Sequence, residues 1–164
     1  MEEFGLTLKQ NDFDMFCDSD SAKSLILKTE KLGRGINVFV NENIIVHKTR
    51  KAYSYEAALI ASFIREKRSE TNQCFSFETV MSHRSKLDEI KITKERGYRT
   101  YPYFVCLENP DINISRVQDR VAKGGHGVDS EKITSRYYRT LDNLIPAVKL
   151  SSRAYLFDNS VDAK

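Results

Sequence analysis

Three glycines and six basic residues between positions 116 and 139 are the side chains best placed to do chemistry. Gly124, Gly125 and Gly127 surround His126; Arg116, Arg120 and Lys123 precede them, and Lys132, Arg136 and Arg139 follow. Planar guanidinium forks match the oxygens of a phosphate, so cations converging on a glycine turn suit an anion. Arg116 and Arg120 lie four apart and share one helix face, where like charges repel mildly unless a partner sits between them. Two readings stay open: a glycine hinge that closes a cationic lid over phosphates, and a solvated basic face beside a helix-ending turn. A phosphate-cradling loop of the form GxxxxGK[ST] is excluded, because a helix rather than a strand precedes the glycines and no Lys-Ser or Lys-Thr follows them.

Glu78 is the second candidate. It interrupts the apolar run FSFETV, with Thr79, Ser82 and His83 in the same turn. A carboxylate there is exposed or paired, or else it accepts a bond from a substrate hydroxyl or holds a hydrated magnesium. His83 and His126 read as hydrogen-bonding residues, since no ligand constellation surrounds either. A Ser/His/Asp hydrolase is disfavoured, because the sequence has no GxSxG elbow.

The elements that must position these groups follow from periodicity. Residues 1–35 read as an irregular leader. INVFV and IIVH, separated by NEN, predict a β-hairpin over 36–47. Ser54 caps a helix whose inward stripe is expected at Ala57, Ile60, Ala61 and Ile64, with Arg65, Glu66 and Arg68 facing water. NQCFSFETV, 72–80, alternates as a strand, and Ser82 opens a helix with Leu87 and Ile90 inward and Gly97 as its left-handed cap. YRTYPYFVCL predicts a strand despite Pro102, which cannot donate to a ladder. Asn109-Pro110 starts a helix with Ile114, Val117 and Val121 inward, stopped by Gly124 and Gly125. A further helix begins near Ser130, with Ile133, Tyr137, Leu141, Leu144 and Val148 on one stripe; Pro146 predicts a kink or early end. RAYLFDNS closes the chain as a strand. Strands alternating with helices predict a parallel sheet covered on both faces, with ligands outside the strand carboxyl ends, where Glu78, Thr79, Asp158 and Asn159 fall.

The chain's 164 residues fit one domain. A net charge of +3 forms no long basic stripe, so a nucleic-acid-binding module is disfavoured. Cys17, Cys74 and Cys106 have no metal-ligand spacing and read as reduced, mostly buried thiols of a cytoplasmic protein. No apolar run reaches membrane-span length, and the start lacks the features of a signal peptide. No membrane partner is expected.

FSFETVMSHRSKLDEIK, ERGYRTYPYFVCLENPDINISRVQDRVAKGGHGV, SRYYRTLDNL and RAYLFDNS together resemble the zeta-toxin-like family of P-loop kinases, including its predicted ATPase branch. The resemblance covers residues 53–160. It implies a doubly wound α/β fold, here a partial P-loop-kinase-like parallel sheet flanked by helices with an N-terminal hairpin insertion. It also implies transfer of the ATP γ-phosphate, with Mg2+, to the hydroxyl of a small molecule such as a nucleotide sugar, and an antitoxin partner. By the same resemblance Glu78, Thr79 and Ser82 belong to the substrate pocket. Arg116, Arg120, His126 and Arg136 belong to the nucleotide lid, and Asp158 and Asn159 lie beside the nucleotide. The family's first strand, Walker A loop and catalytic acid have no counterpart in this sequence, so no catalytic or metal-binding residue is assigned. Gly127 stands where GGH is usually followed by Asp, and Arg84 where Pro is common. Phosphoryl transfer rests on P-loop amides, their lysine and magnesium. The expectation is therefore an N-terminally incomplete kinase with negligible activity of its own, or a degenerate non-catalytic protein that binds a nucleotide or a partner.

Overall fold

The computed structural model describes residues 6–49 and 54–160. The first five residues of the expected leader and Tyr53, where the family resemblance begins, lie outside the described residues. The chain is mixed α/β and divides into two compact units, Met1–Ser76 and Phe77–Lys164, where the sequence reading expects one domain.

The first unit holds α1 (Gln10–Cys17), α2 (Asp20–Glu30), β1 (Val38–Asn41), β2 (Ile44–His47) and α3 (Ser54–Glu70). The expected irregular leader is thus corrected: it carries two helices. Phe13 and Phe16, three apart on α1, put both rings on one helix face, and Ser19 caps α2 by accepting from the Ala22 N–H at 3.3 Å. Polar residues between these anchors mask the pattern in the sequence. The hairpin stands as expected, antiparallel with Asn41 opposite Ile44. Its turn is Glu42-Asn43, with φ of 47° and 67°, the consecutive left-handed pair that matches the twist of a two-residue hairpin.

Phe13, Phe16, Ala22, Val38, Val40, Leu59 and Phe63 close one core, with the Phe13 and Phe63 rings edge to face at 5.1 Å. The inner stripe of α3 is Glu56, Leu59 and Phe63, while Ala57 and Ala61 are exposed. The expected stripe is therefore one residue out of phase. Small alanines fit either face of a helix, and the buried carboxylate of Glu56 hides the true phase.

The second unit holds α4 (Ser85–Glu95), β3 (Tyr103–Cys106), α5 (Pro110–Ala122), α6 (Ser130–Leu150) and β4 (Tyr155–Asp158). β3 and β4 pair in parallel, Tyr103 opposite Tyr155 and Cys106 opposite Asp158. Pro102 stands just before β3, where its carbonyl accepts from the Tyr155 N–H at 2.9 Å and its missing N–H costs nothing. The strand expected over 72–80 is not formed: residues 73–82 are neither helix nor strand. A strand needs a neighbouring ladder, and β3 pairs only with β4 among the described residues.

The next helix starts at Ser85, three residues after the expected Ser82, and Gly97 follows it at φ 89°. α6 runs four residues past Pro146 with no early end; Asn143 and Ala147, on either side of the proline, are buried and hold the turn by packing. Of its expected stripe, Ile133 is buried, Tyr137, Leu144 and Val148 are half-buried, and Leu141 is exposed.

The sheet is not covered on both faces as expected. Tyr103, Val105, Tyr155 and Phe157 share one face by register; Tyr103 is 66% exposed, Val105 58% and Phe157 49%. The Tyr103 and Tyr155 rings stack on each other at 4.8 Å instead of under a helix. Cys74, expected buried, is exposed; Cys17 and Cys106 are half-buried.

Candidate anion-binding site

The C-terminal turns of α5 build the site. Asn109 fixes the start of this helix, its side-chain oxygen accepting from the Asp111 and Ile112 N–H groups. From that start, Arg116, Asp119, Arg120 and Lys123 fall on one face. Gly124 takes φ 85°, and the Gly124 and Gly125 N–H groups donate back to the Val121 and Arg120 carbonyls, each at 2.9 Å. This wraps the last turn in a left-handed cap that satisfies otherwise orphaned carbonyls. A Cβ on Gly125 would stand 2.6 Å from Arg120 Cγ and 2.9 Å from the Arg120 carbonyl oxygen. Glycine is needed there because the Arg120 stem lies against the turn.

Two guanidinium groups are oriented by backbone carbonyls. Arg120 Nη2 donates to the His126 carbonyl at 3.3 Å, and Arg116 Nη2 donates to the Asn159 carbonyl, just past β4, at 2.9 Å. A guanidinium carries five N–H donors, so Arg120 keeps donors beyond the one its carbonyl takes. Arg116, Asp119, Arg120, Lys123, Gly124 and Gly125 line an open cleft of about 540 Å3. With three cations and one carboxylate on its walls, it favours an anion with several oxygens.

A second cleft of about 450 Å3 lies at the carboxyl ends of β3 and β4, lined by Cys106, Leu107, Glu108, Leu156, Phe157, Asp158 and Ser160. There the Asp158 carboxylate accepts from the Ser160 hydroxyl and N–H, which hold its pKa below the usual carboxylate range.

Of the residues expected at a site, Arg116 meets Asn159 and Arg120 meets His126, while Asp158 lines the neighbouring cleft. Arg136 is half-buried on α6 and lines neither cleft. Glu78 and Thr79 are exposed on the 73–82 segment, Ser82 is half-buried, and none of the three lines either cleft. Among the described residues there is no group of three His, Cys, Asp or Glu side chains placed to hold a metal ion.

Sequence reasoning missed one titratable pair. In the first unit, Glu56 is fully buried and accepts from the Asn37 N–H at 2.8 Å and from His47 Nε2 at 3.0 Å. The hydrogen bond to that carboxylate raises the His47 pKa. Nine residues of separation across a strand end and a helix gave no pattern to find it by.

Fold and site together define a mixed α/β chain with a basic cleft on its second unit. No family model matches it, and no solved structure matches it. Among curated proteins, an uncharacterized protein of Haemophilus influenzae is 29% identical over 63 residues, which are 38% of this chain and 45% of that protein. The chain thus spans under half the length of that relative. Among the described residues no helix is long and apolar enough to cross a membrane.

Proposed function

We propose that this chain is a phosphate-binding relative of the zeta-toxin-like kinases that carries out no transfer by itself. The observation that supports it best is the α5 cleft, where Arg116, Arg120 and Lys123 converge on a glycine cap and only Asp119 opposes them. Three of the residues that the family resemblance assigns to a nucleotide lid, Arg116, Arg120 and His126, meet at this turn or beside it. Asn159, assigned beside the nucleotide, holds Arg116. ATP is the nucleotide that the resemblance implies, and its phosphates would be held by the two arginines and Lys123. The reading includes no phosphoryl transfer, because the sequence has no GxxxxGK[ST] loop and so no Walker A lysine.

The test is calorimetric titration of the full chain with ATP and with inorganic triphosphate. Arg120→Ala is expected to weaken binding about tenfold, the worth of one charge-assisted hydrogen bond. Binding that is absent, or indifferent to Arg120→Ala and Lys123→Ala together, overturns the reading. A second reading, a partner-binding protein with an antitoxin-like protein as the occupant, is favoured by the exposed Tyr103, Val105 and Phe157 on the sheet face. Co-purification of a partner lost on Val105→Asp would support it.

A further inference from the structure

The parallel sheet of the second unit has two outer edges, and they differ in chemistry. The Tyr155 N–H donates to the Pro102 carbonyl and the Asn159 N–H to the Cys106 carbonyl, each at 2.9 Å. With Tyr103 opposite Tyr155 and Cys106 opposite Asp158, β4 takes the backbone groups of alternate β3 residues, Pro102, Phe104 and Cys106. Those of Tyr103 and Val105 point away from β4, and among the described residues β3 has no other neighbour. Pro102, which lacks an N–H, faces β4 and so leaves this outer edge unbroken. The edge ends at Leu107, whose carbonyl accepts from the Tyr137 hydroxyl at 2.9 Å. By the same alternation, the outer edge of β4 presents the backbone of Leu156 and Asp158.

An unpaired edge is a template for another strand unless a charge, a proline or a bulge guards it. Asp158 guards β4, because two copies meeting there would bring like carboxylates together. From Tyr101 to Leu107 the β3 side carries no charge. Tyr103 and Val105 are 66% and 58% exposed, and the Tyr103 ring stacks on Tyr155, toward β4, which leaves its outer side open. The run is also self-complementary. When two copies lie antiparallel about a two-fold axis at Phe104, Tyr103 faces Val105 of the second copy and Phe104 meets its own counterpart. Aromatic and β-branched side chains are favourable cross-strand pairs. Tyr103 and Val105 then exchange both of their backbone bonds, which satisfies the groups that β4 leaves unused. We propose that β3 is a dimerisation edge, at which two copies of this chain join their sheets in the order β4-β3-β3-β4.

Sedimentation of the full chain reads this at concentrations up to about 1 mM, the weak end of specific association. The parent is expected to pass from monomer to dimer. Val105→Lys and Val105→Glu each set like charges diagonally across the axis, within reach of one another. Each is expected to lose the dimer, yet to melt like the parent at dilute concentration, since the side chain is largely exposed. An equimolar mixture of the two is expected to restore the dimer, because the diagonal pair is then Lys with Glu. Leu156→Lys, at the outer edge of β4 and 57% exposed in the parent, is expected to dimerise as the parent does. A parent that stays monomeric overturns the proposal, as does a Val105→Lys chain that dimerises normally. A mixture that stays monomeric overturns it too. Loss of the dimer in Leu156→Lys would also overturn it, because the contact would then lie elsewhere on the sheet.

Discussion

The two units of this chain solve the same problem unequally. Met1–Ser76 closes a core of seven apolar side chains beneath two helices, a hairpin and α3. Phe77–Lys164 has more residues, yet among the described residues its buried apolar side chains are only Met81, Ile133 and Ala147. Other apolar side chains, such as Phe104, Tyr137 and Leu144, are half-buried, while Tyr103, Val105, Leu156 and Phe157 on the sheet and Tyr138 and Ile145 on α6 stay exposed. Strands that are apolar on alternate faces alike normally lie buried on both sides. In this two-stranded sheet one face, that of Tyr103, Val105 and Phe157, is left open. The first unit therefore owes its stability to packing, while the second depends on caps, parallel backbone bonds and clips such as the Asn143 side chain on the Met81 carbonyl.

The largest test of that contrast is a pair of truncations. Phe63 is 1% exposed and touches both Phe13 and Phe16. Phe63→Ala is expected to cost about 3–5 kcal/mol through lost burial and an unfilled cavity. Phe157→Ala, from a side chain 49% exposed, is expected to cost about 1 kcal/mol. Urea unfolding of the full chain, with hydrogen exchange to assign each loss to its unit, checks both. Equal costs would sink the distinction between a closed and an open unit.

This contrast also explains what the sequence could reveal. Local rules worked where local chemistry decides the outcome: the hairpin at 36–47, the Asn109-Pro110 start of α5, the left-handed Gly97, the end of α5 before Gly124, and the parallel sense of the sheet. They failed where tertiary context decides. FSFETV alternates as a strand does, but alternation cannot provide the neighbour that a ladder needs. Polar residues hid Phe13 and Phe16 in the leader. A buried Glu56 shifted the apparent phase of α3, since a carboxylate reads as surface unless its partners are known. At the site, the spacing of Arg116 and Arg120 was legible, but their fixation by the Asn159 and His126 carbonyls was not, because one partner is 43 residues away and both are backbone. Arg136, grouped with them by charge and spacing, and Glu78 and Thr79, expected at the carboxyl end of a strand, line neither cleft.

A second, smaller test asks whether the open unit is nevertheless precise where it is capped. Alanine at Gly125 would press its Cβ onto the stem and carbonyl of Arg120; the stem can swing aside, but the carbonyl cannot retreat without disturbing the last turn of α5. Gly125→Ala is expected to cost about 1–3 kcal/mol as overpacking. Gly35→Ala in the first unit meets nothing within 4 Å and has no positive φ, so it is expected to be neutral or to stabilise by about 0.5 kcal/mol. Thermal melts of the two variants read the difference. If Gly125→Ala melts like the parent, the Arg120 stem does not lie against the turn, and the cleft loses its shape.

The smallest expected effect concerns pH and belongs to the closed unit. His47 joins β2 to α3 through Glu56: Nε2 meets the Glu56 carboxylate at 3.0 Å, while Nδ1 lies 2.6 Å from the Thr49 carbonyl and within reach of the Thr49 N–H and hydroxyl. A carboxylate hydrogen-bonded to the ring favours its charged form. The carboxylate hydrogen bond accordingly raises its pKa above the ordinary value of 6.5. A folded-state pKa raised in this way means that the folded chain binds the proton more tightly than the unfolded chain. The stabilisation is thus complete below pH 6.5 and fades as pH rises through the elevated folded value. His47→Gln, which cannot carry the charge, should melt below the parent at pH 6, and the gap should narrow steadily toward pH 9. Arg120→Ala, on the open unit, should show no such convergence over the same range. A gap for His47→Gln that widens with pH would mean that the neutral ring is the form the fold prefers, and that Glu56 is held by its other partners instead.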